Sequence, residues 1–319
     1  IMFFITSFFV LYHIRPNTIM HGSAFVGALG LLPLIPATSF VSRLSDHGRE
    51  FIFKGIVFIS IRIGLLLISL DLISSLPEFL FKPHYAGIRW VGGLDGPNEL
   101  GMLFVLISAI SMGLFRERAF NIYHLIISIS VSFFIIYNTY SRGSLLALFV
   151  LFLVFFLWPS LQKRTVVFLG VLVAVSIVYA SQIMLAIESF AIIRERGSDR
   201  SGIVDAVFKL VSEKPLFGGG FGWFDARSIV RNTTSHSDFF EFLVSGGVIS
   251  FLFFIVFSGF LLWFCFKNKL ITEFYFLCAF FVTSLTWNHL LRLRISILFF
   301  VVLFIILSRF VFNRKRVTW

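Results

Sequence analysis

Three arginines and one histidine are the residues best suited to chemistry on an anionic substrate: Arg89, Arg142, Arg200 and His236. A guanidinium group binds phosphate through two parallel hydrogen bonds and stays charged at any accessible pH. His236 precedes a long apolar stretch, and the positive end of a helix dipole favours the neutral imidazole that a general base requires. Non-catalytic explanations are also open for two of these residues. The Arg142 side chain would extend only to the membrane–water interface, and His236 would have a purely structural role.

Four polar residues stand near these side chains in the sequence: Asn98, Ser141, Asp238 and Glu241. Ser141 adds a hydroxyl group next to Arg142. Asn98 lies at the predicted start of a helix, where ordinary helix-start chemistry also explains it. Ser235 and Asp238 have the spacing of a capping box, so Asp238 also has a structural explanation.

Other motifs give weaker or negative indications. The run Gly218–Gly222 lacks the Lys and Ser/Thr of a nucleotide-binding loop, and a flexible bend on which a substrate rests is the better interpretation. Cys265 and Cys278 fall inside apolar runs and cannot form a disulfide framework or a metal cluster. No metal site and no cofactor are predicted. Arg62, near the middle of an apolar run, is predicted to be a buried structural ion.

Composition determines the class of element that must position these residues. Of 319 residues, 58% are hydrophobic and 13% are charged, and the mean hydropathy is +0.95. A soluble domain carries about 25% charged residues, and a β-barrel needs alternation of polar and apolar residues, which these continuous apolar runs lack. The prediction is an all-α polytopic transmembrane bundle that forms a single membrane domain over 1–319.

Hydropathy divides the chain into about ten spans. They cover residues 1–13, 22–41, 51–74, 98–115, 120–138, 144–158, 165–187, 239–264, 270–287 and 293–312. The first run opens on Ile1, is short, and has neither a basic leader nor a cleavage site. We therefore expect a truncated helix with missing N-terminal sequence rather than a signal peptide.

Basic side chains concentrate in alternate connections between these spans: Arg43, Arg49, Arg116, Arg118, Lys163, Arg164, Lys267, Lys269, Arg314, Lys315 and Arg316. The positive-inside rule makes these connections cytoplasmic. The others are then extracytoplasmic: 75–97, the turn 140–143, 188–238 and 288–292. The four residues with candidate chemistry all fall on this outer face.

The outer loop 188–238 is the longest connection and is nearly balanced in charge. Within it, Val204, Val207, Phe208 and Val211 have helical spacing, which predicts a short amphipathic helix over Ile203–Val211 on the membrane or against the bundle. The net charge of +11 follows mostly from the cytoplasmic connections, so it does not indicate nucleic acid binding.

Four stretches resemble the O-antigen ligase and O-antigen polymerase superfamily, membrane glycosyltransferases that use undecaprenyl-diphosphate-linked glycans as donors. They are Arg89 with the Gly-rich stretch to Pro97-Asn98, the turn Thr139-Tyr140-Ser141-Arg142-Gly143, Arg200 through to Gly218-Gly219-Gly220-Phe221-Gly222, and His236 through Glu241 to Gly246-Gly247. The likeness in order and spacing extends over residues 85–260. The family usually has Asn directly after this His, and here Ser237 stands there.

The resemblance implies a metal-independent enzyme in the bacterial cytoplasmic (inner) membrane with its active site on the periplasmic face. Arg142 and Arg200, with Arg89, are expected to bind the donor diphosphate, and His236 is expected to activate the acceptor hydroxyl. The implied partners are the lipid bilayer, an undecaprenyl-diphosphate-linked glycan donor, a glycan or lipid A-core acceptor, and chain-length regulator proteins, without nucleic acid.

Several functions remain open at this point. A polymerase joins lipid-linked repeat units, whereas a ligase moves the finished glycan to lipid A core, and the short chain with its modest loop favours the polymerase. A polysaccharide or lipid-linked sugar transporter or flippase is compatible with many spans. Transporters typically have paired interrupted helices and a midplane site, and the sequence shows neither pattern. A structural scaffold leaves the outer arginines unexplained.

Overall fold

The computed structural model describes residues 46–72, 81–84, 87–90, 96–157, 200–220, 237–285 and 293–316. In chain order these residues form α1 Asp46–Leu72, β1 Phe81–His84, β2 Gly87–Trp90, α2 Pro97–Arg116, α3 Ile122–Asn138, α4 Arg142–Leu157, α5 Arg200–Glu213, α6 Asp238–Lys267, α7 Ile271–Ser284 and α8 Leu293–Arg316. The predicted helical class is confirmed. The hairpin β1–β2 is an addition to the all-α prediction.

The predicted spans agree with the helices where the two can be compared. Seven of the ten correspond to α1–α4 and α6–α8, whereas 1–13, 22–41 and 165–187 lie outside the described residues. Of the described helices, α1, α2 and α6 are long and apolar enough to cross a membrane, and α3, α4, α7 and Leu298–Arg309 of α8 are apolar but shorter. The structure therefore supports a helical membrane protein, and the number ten stays a prediction.

Helix α2 is the central element of the described bundle. In its most apolar window 83% of the residues are buried, against 28% in α1 and in α6, and it contacts α1, α3, α4 and α7. Small residues permit these close approaches: a Cβ atom at Gly113 would overlap Thr272, and one at Gly64 of α1 would lie 3.2 Å from the Phe104 ring of α2. Because four helices surround α2, side chains from several helices also meet at each of its two ends.

One end of the bundle, here called the basic end, carries the starts of α1 and α7 and the end of α2. Arg49 Nη2 donates to Glu273 Oε2 at 2.8 Å and to Glu117 Oε1 at 2.6 Å. Glu117 Oε1 also accepts from Thr272 N at 3.1 Å. Arg49 was predicted to lie in a loop, but it is buried in the first turn of α1 because these two carboxylates surround it.

Two further contacts extend the basic end to α4 and α8. Arg116 Nη2 donates to the Phe155 carbonyl at 2.6 Å, and its guanidinium lies 4.3 Å from the centroid of that ring. Arg309 pairs with Asp46. The described connections that carry the basic residues thus lie at one end of the bundle, as the alternating charge predicts. The side of the membrane that this end faces stays a prediction.

The hairpin lies in the connection between α1 and α2. Its strands are antiparallel, with Phe81 opposite Trp90 and Lys82 opposite Arg89. Trp90 is buried, and its ring centroid lies 5.8 Å from that of Phe134 in an edge-on contact. The hairpin is therefore joined to α3, four residues before that helix ends.

Candidate active site

The turn between α3 and α4 is held by its own hydroxyl groups. Thr139 Oγ1 donates to the Ile136 carbonyl at 2.7 Å, and the Ser141 amide lies 3.3 Å from the same Oγ1. Ser141 Oγ lies 2.8 Å from Ser144 Oγ and accepts from the Ser144 amide at 3.4 Å. Ser141 is therefore positioned as the cap of α4, and the cap leaves Arg142 as the first helical residue.

Arg142 is exposed in this first turn of α4. Unsatisfied backbone N–H groups and the positive end of the helix dipole both occur at such a position. Arg142 and the helix start therefore both contribute positive charge at this end of α4.

The start of α2 lies against this turn. A Cβ atom at Gly101 would lie 2.7 Å from Ser144 Oγ and 2.9 Å from Thr139 Oγ1, so only glycine fits this approach without displacing either hydroxyl. Pro97 is the first residue of α2 and Asn98 the second, which confirms the predicted helix start. Asn98 is half-buried, and Glu99, two residues before Gly101, is 1% exposed.

The start of α6 brings two more predicted residues to a buried position. Ser237 is the N-cap residue, and its hydroxyl donates to the Ser284 carbonyl at 3.1 Å instead of capping its own helix. Asp238 is the first helical residue rather than the third after the cap, so the predicted Ser235–Asp238 capping box is wrong. His236 and Ser235 lie outside the described residues.

Asp238 and Glu241 are both buried at the start of α6. Glu241 Oε1 accepts from Ser245 Oγ at 2.6 Å, one turn further along the helix. Both carboxyl groups thus lie within one turn of the residue that follows His236.

The starts of α4 and α6 lie at a common depth along α2. Helices α2 and α7 are in contact at Gly113 and Thr272, near the basic end. Counting twelve residues along each helix from this contact, or about 18 Å, leads to Gly101 on α2 and Ser284 on α7. Gly101 contacts the Arg142 turn and Ser284 binds Ser237, so both predicted groups of residues are at this opposite end.

The glycine-rich bend is joined to a break in α6. Gly247 has φ of 67° inside this helix, which interrupts its hydrogen bonding. The Gly219 amide donates to Val244 O at 3.0 Å and the Gly220 amide to Ser245 O at 2.9 Å. These two amides are therefore bonded within the protein. That a substrate rests on the bend stays a prediction, and Phe221 and Gly222 lie outside the described residues.

The remaining predicted residues are placed by their backbone. Arg200 is the first residue of α5, which covers the predicted amphipathic segment. Val207 and Leu210 of α5 are buried against Val244 of α6, whereas Phe208, predicted on the same face, is 62% exposed. Arg89 lies in β2.

Arg62 is exposed on α1, so its predicted burial as a structural ion is wrong. A cavity of about 460 Å³ lies at the basic end and is lined by Asp46, Arg49, Glu50, Glu117, Ala119, Asn268, Lys269, Leu270 and Arg309. It is separated from Arg142 by most of the length of α2, and its Arg49 and Arg309 are paired with carboxylates. Among the described residues, no group of three His, Cys, Asp or Glu could hold a metal ion.

One segment of the sequence, residues 124–255, contains the turn at Arg142, helix α5, the glycine-rich bend and the first part of α6. This segment matches the O-antigen ligase family model. The match confirms the resemblance to the O-antigen ligase and polymerase superfamily and supports a membrane enzyme of this general type. Arg89 and Asn98 lie before the matched segment. No match is found among curated proteins.

Two features of this end were not among the predicted site residues. Glu99 is buried in the first turn of α2. In the sequence, an acidic residue at the start of an otherwise apolar run could have indicated a functional position. The break in α6 was also missed, although adjacent Gly246 and Gly247 inside a predicted span indicate a weak point.

Proposed function

We propose that the protein is a membrane glycosyltransferase that joins undecaprenyl-diphosphate-linked repeat units at the outer face of the bacterial cytoplasmic membrane, as an O-antigen or exopolysaccharide polymerase does. The main support is that the matched segment 124–255 contains Arg142, Arg200 and His236. The exposed Arg142 in the first turn of α4 is suited to bind a diphosphate group.

The proposed reaction transfers the growing glycan from one lipid diphosphate to the hydroxyl group of another unit. As the bond between sugar C1 and the phosphate oxygen breaks, its electron pair moves to the diphosphate leaving group. Arg142 and Arg200, with Arg89, would stabilise this growing negative charge most strongly in the transition state. The acceptor oxygen forms the new bond to C1 while His236 takes its proton.

The supporting residues have positioning roles in this proposal. Ser141 caps α4 and so fixes the first turn that carries Arg142. Asp238 and Glu241 are buried two and five residues after His236, where a negative charge would favour the imidazolium that forms on proton transfer. Asn98 lies at the same end, in the first turn of α2. Neither a metal ion nor a cofactor takes part, so a chelator should leave the transfer rate unchanged.

The test uses Arg142→Ala and His236→Ala in a host whose surface glycan depends on this protein. Both variants should insert and accumulate normally but lose long glycan chains on gels. Arg118→Asn is a matched control, because it removes an exposed arginine at the basic end and Asn tolerates the local φ of 63°. Unchanged chain lengths in the Arg142 and His236 variants would refute the proposed chemistry.

The same gels separate the polymerase from the ligase. Retention of a single repeat unit on lipid A core with loss of long chains supports the polymerase. Loss of all repeat units from the core supports the ligase.

A transporter is the second candidate function. The interruption of α6 at Gly247 favours it, because transporters use discontinuous helices. Among the described helices, however, α6 is the one with a non-helical residue inside, and no partner interruption accompanies it there. Purified protein in detergent has no two compartments between which to transport. Donor-dependent elongation of lipid-linked units under that condition supports the transferase, and its absence with active transport in vesicles supports the transporter.

A further inference from the structure

Two large apolar side chains are exposed where the bend meets α6. Leu216 is 58% exposed and Phe217 is 62% exposed, although both belong to a connection rather than to a membrane-spanning helix. Adjacent to them, Val248, Ile249 and Leu252 of α6 are also exposed. We call these five residues the boundary patch.

Backbone hydrogen bonds fix the bend within this patch. Val248 N donates to Pro215 O at 2.8 Å, and Ile249 N donates to Leu216 O at 3.4 Å. A Cβ atom at Gly218 would lie 2.5 Å from Gly247 N, so the backbone of the bend is in direct contact with the backbone of α6. Leu216 and Phe217 therefore continue the apolar surface that α6 turns away from the bundle.

The length of α6 indicates the depth of the patch. From Val248 to Lys267 the helix has about 20 residues, or about 30 Å, which equals the thickness of the hydrocarbon core. At the far end, Lys267 Nζ lies 4.9 Å from the centroid of Trp263, and that ring is 54% exposed. Trp and Lys are typical of the membrane–water boundary. The boundary patch then lies at the other boundary of the same bilayer.

The residues just before the patch are polar and exposed: Ser212, Glu213 and Lys214. An apolar pair that follows a lysine and a proline has the composition of a segment that lies in the interface, with its charge among the headgroups. The change from polar to apolar occurs within one residue, between Lys214 and Leu216 on either side of Pro215.

We propose that Leu216 and Phe217 insert into the lipid bilayer at the edge of its hydrocarbon core and anchor the glycine-rich bend to the membrane. The bend contacts α6 at its break, and α5 directly precedes it. Insertion therefore holds α5 and the start of α6 at one height above the acyl chains. This inference depends on the membrane assignment and not on the proposed reaction.

The experiment places single cysteines in protein reconstituted in phosphatidylcholine bilayers. Leu216→Cys and Phe217→Cys are made in a Cys265→Ala, Cys278→Ala background and labelled with a fluorophore sensitive to polarity. Because both positions are exposed, the substitutions remove little packing, and a monodisperse elution profile verifies each variant. Ser212→Cys and Glu213→Cys are the matched controls on the same segment.

The expected result is a blue-shifted emission at 216 and 217 that falls when spin-labelled lipids are added and resists aqueous iodide. Labels at 212 and 213 should show the reverse. Iodide quenching at 216 and 217 equal to that of the controls would place them in water and overturn the proposal. Protection from both quenchers would also overturn it, since another part of this chain or a second copy would then cover the patch.

Discussion

At the basic end of α2, a buried arginine bonds two carboxylates from other helices, whereas at the opposite end Gly101 lies against the hydroxyl groups of Thr139 and Ser144. The first arrangement satisfies its charges internally and leaves Arg49 buried. The second uses neutral groups to hold the backbone and leaves Arg142 exposed. The comparison indicates that the basic end contributes stability, whereas binding of an anionic group at the opposite end stays a proposal.

The largest expected effect comes from Arg49→Ala. Removal of the guanidinium leaves the fully buried Glu273 without its partner, and breaking a buried ion pair from one side costs about 3–5 kcal/mol. The melting temperature in detergent should fall steeply, and so should accumulation in the membrane. The combined change Arg49→Met, Glu117→Gln, Glu273→Gln should recover part of the loss. Wild-type stability of the single variant would show that the network is not structural.

Arg142→Ala should have the next largest effect, on activity alone. Loss of one group that stabilises the leaving group typically lowers the rate about 100-fold, which corresponds to about 2.7 kcal/mol. The melting temperature should stay within error of the wild-type value because the side chain is exposed. Elongation of purified lipid-linked units measures the rate. Arg142→Lys should recover only part of it, since a lysine cannot bind phosphate through a planar fork.

Gly247→Ala and Gly259→Ala should change stability in opposite directions, although both lie in α6. An alanine at 247 needs a backbone conformation that is essentially restricted to glycine, with φ of 67° and ψ of −172°, which costs about 1–3 kcal/mol, and its Cβ would lie 2.6 Å from Phe217 N. Gly259 has no atom within 4 Å of its Cβ position, so alanine there should stabilise the helix by about 0.5–1 kcal/mol. Thermal unfolding in detergent measures both. Equal shifts would contradict the tight contact at the break.

The smallest effect is expected for Ser141→Ala, which removes the cap of α4. Loss of such a cap costs about 1 kcal/mol, and the first turn that carries Arg142 should loosen. Ser130→Ala, at an exposed position on α3, is the matched control and should leave stability unchanged. A rate that falls in the Ser141 variant but not in the control would connect the hydroxyl turn to the function of Arg142.

Some of this architecture follows from the sequence because it depends on local composition. The bounds of α2 and α3 differ from the predicted spans by two residues at most, since apolar runs bounded by polar or charged residues define them. The turn at Arg142 was predicted for the same reason: its hydroxyl groups bond to residues two or three positions away.

Other features depend on partners far along the chain. Arg49 bonds carboxylates 68 and 224 residues away, so its sequence neighbours indicated only a loop charge. The break in α6 is stabilised by the bend near Gly219, and neither segment alone reveals the pairing. The hairpin was missed because its four-residue strands are too short for periodicity to reveal.

The mutual bonding of the bend and the break in α6 also bears on how the chain is assembled in the membrane. A helix break at the edge of the hydrocarbon core leaves backbone carbonyl groups without helical partners, and each costs several kcal/mol wherever lipid or protein excludes water. Here the segment that satisfies them, Pro215 to Gly220, precedes α6 in the sequence and leaves the ribosome first. The groups that complete the broken helix are thus already synthesised when α6 reaches the membrane.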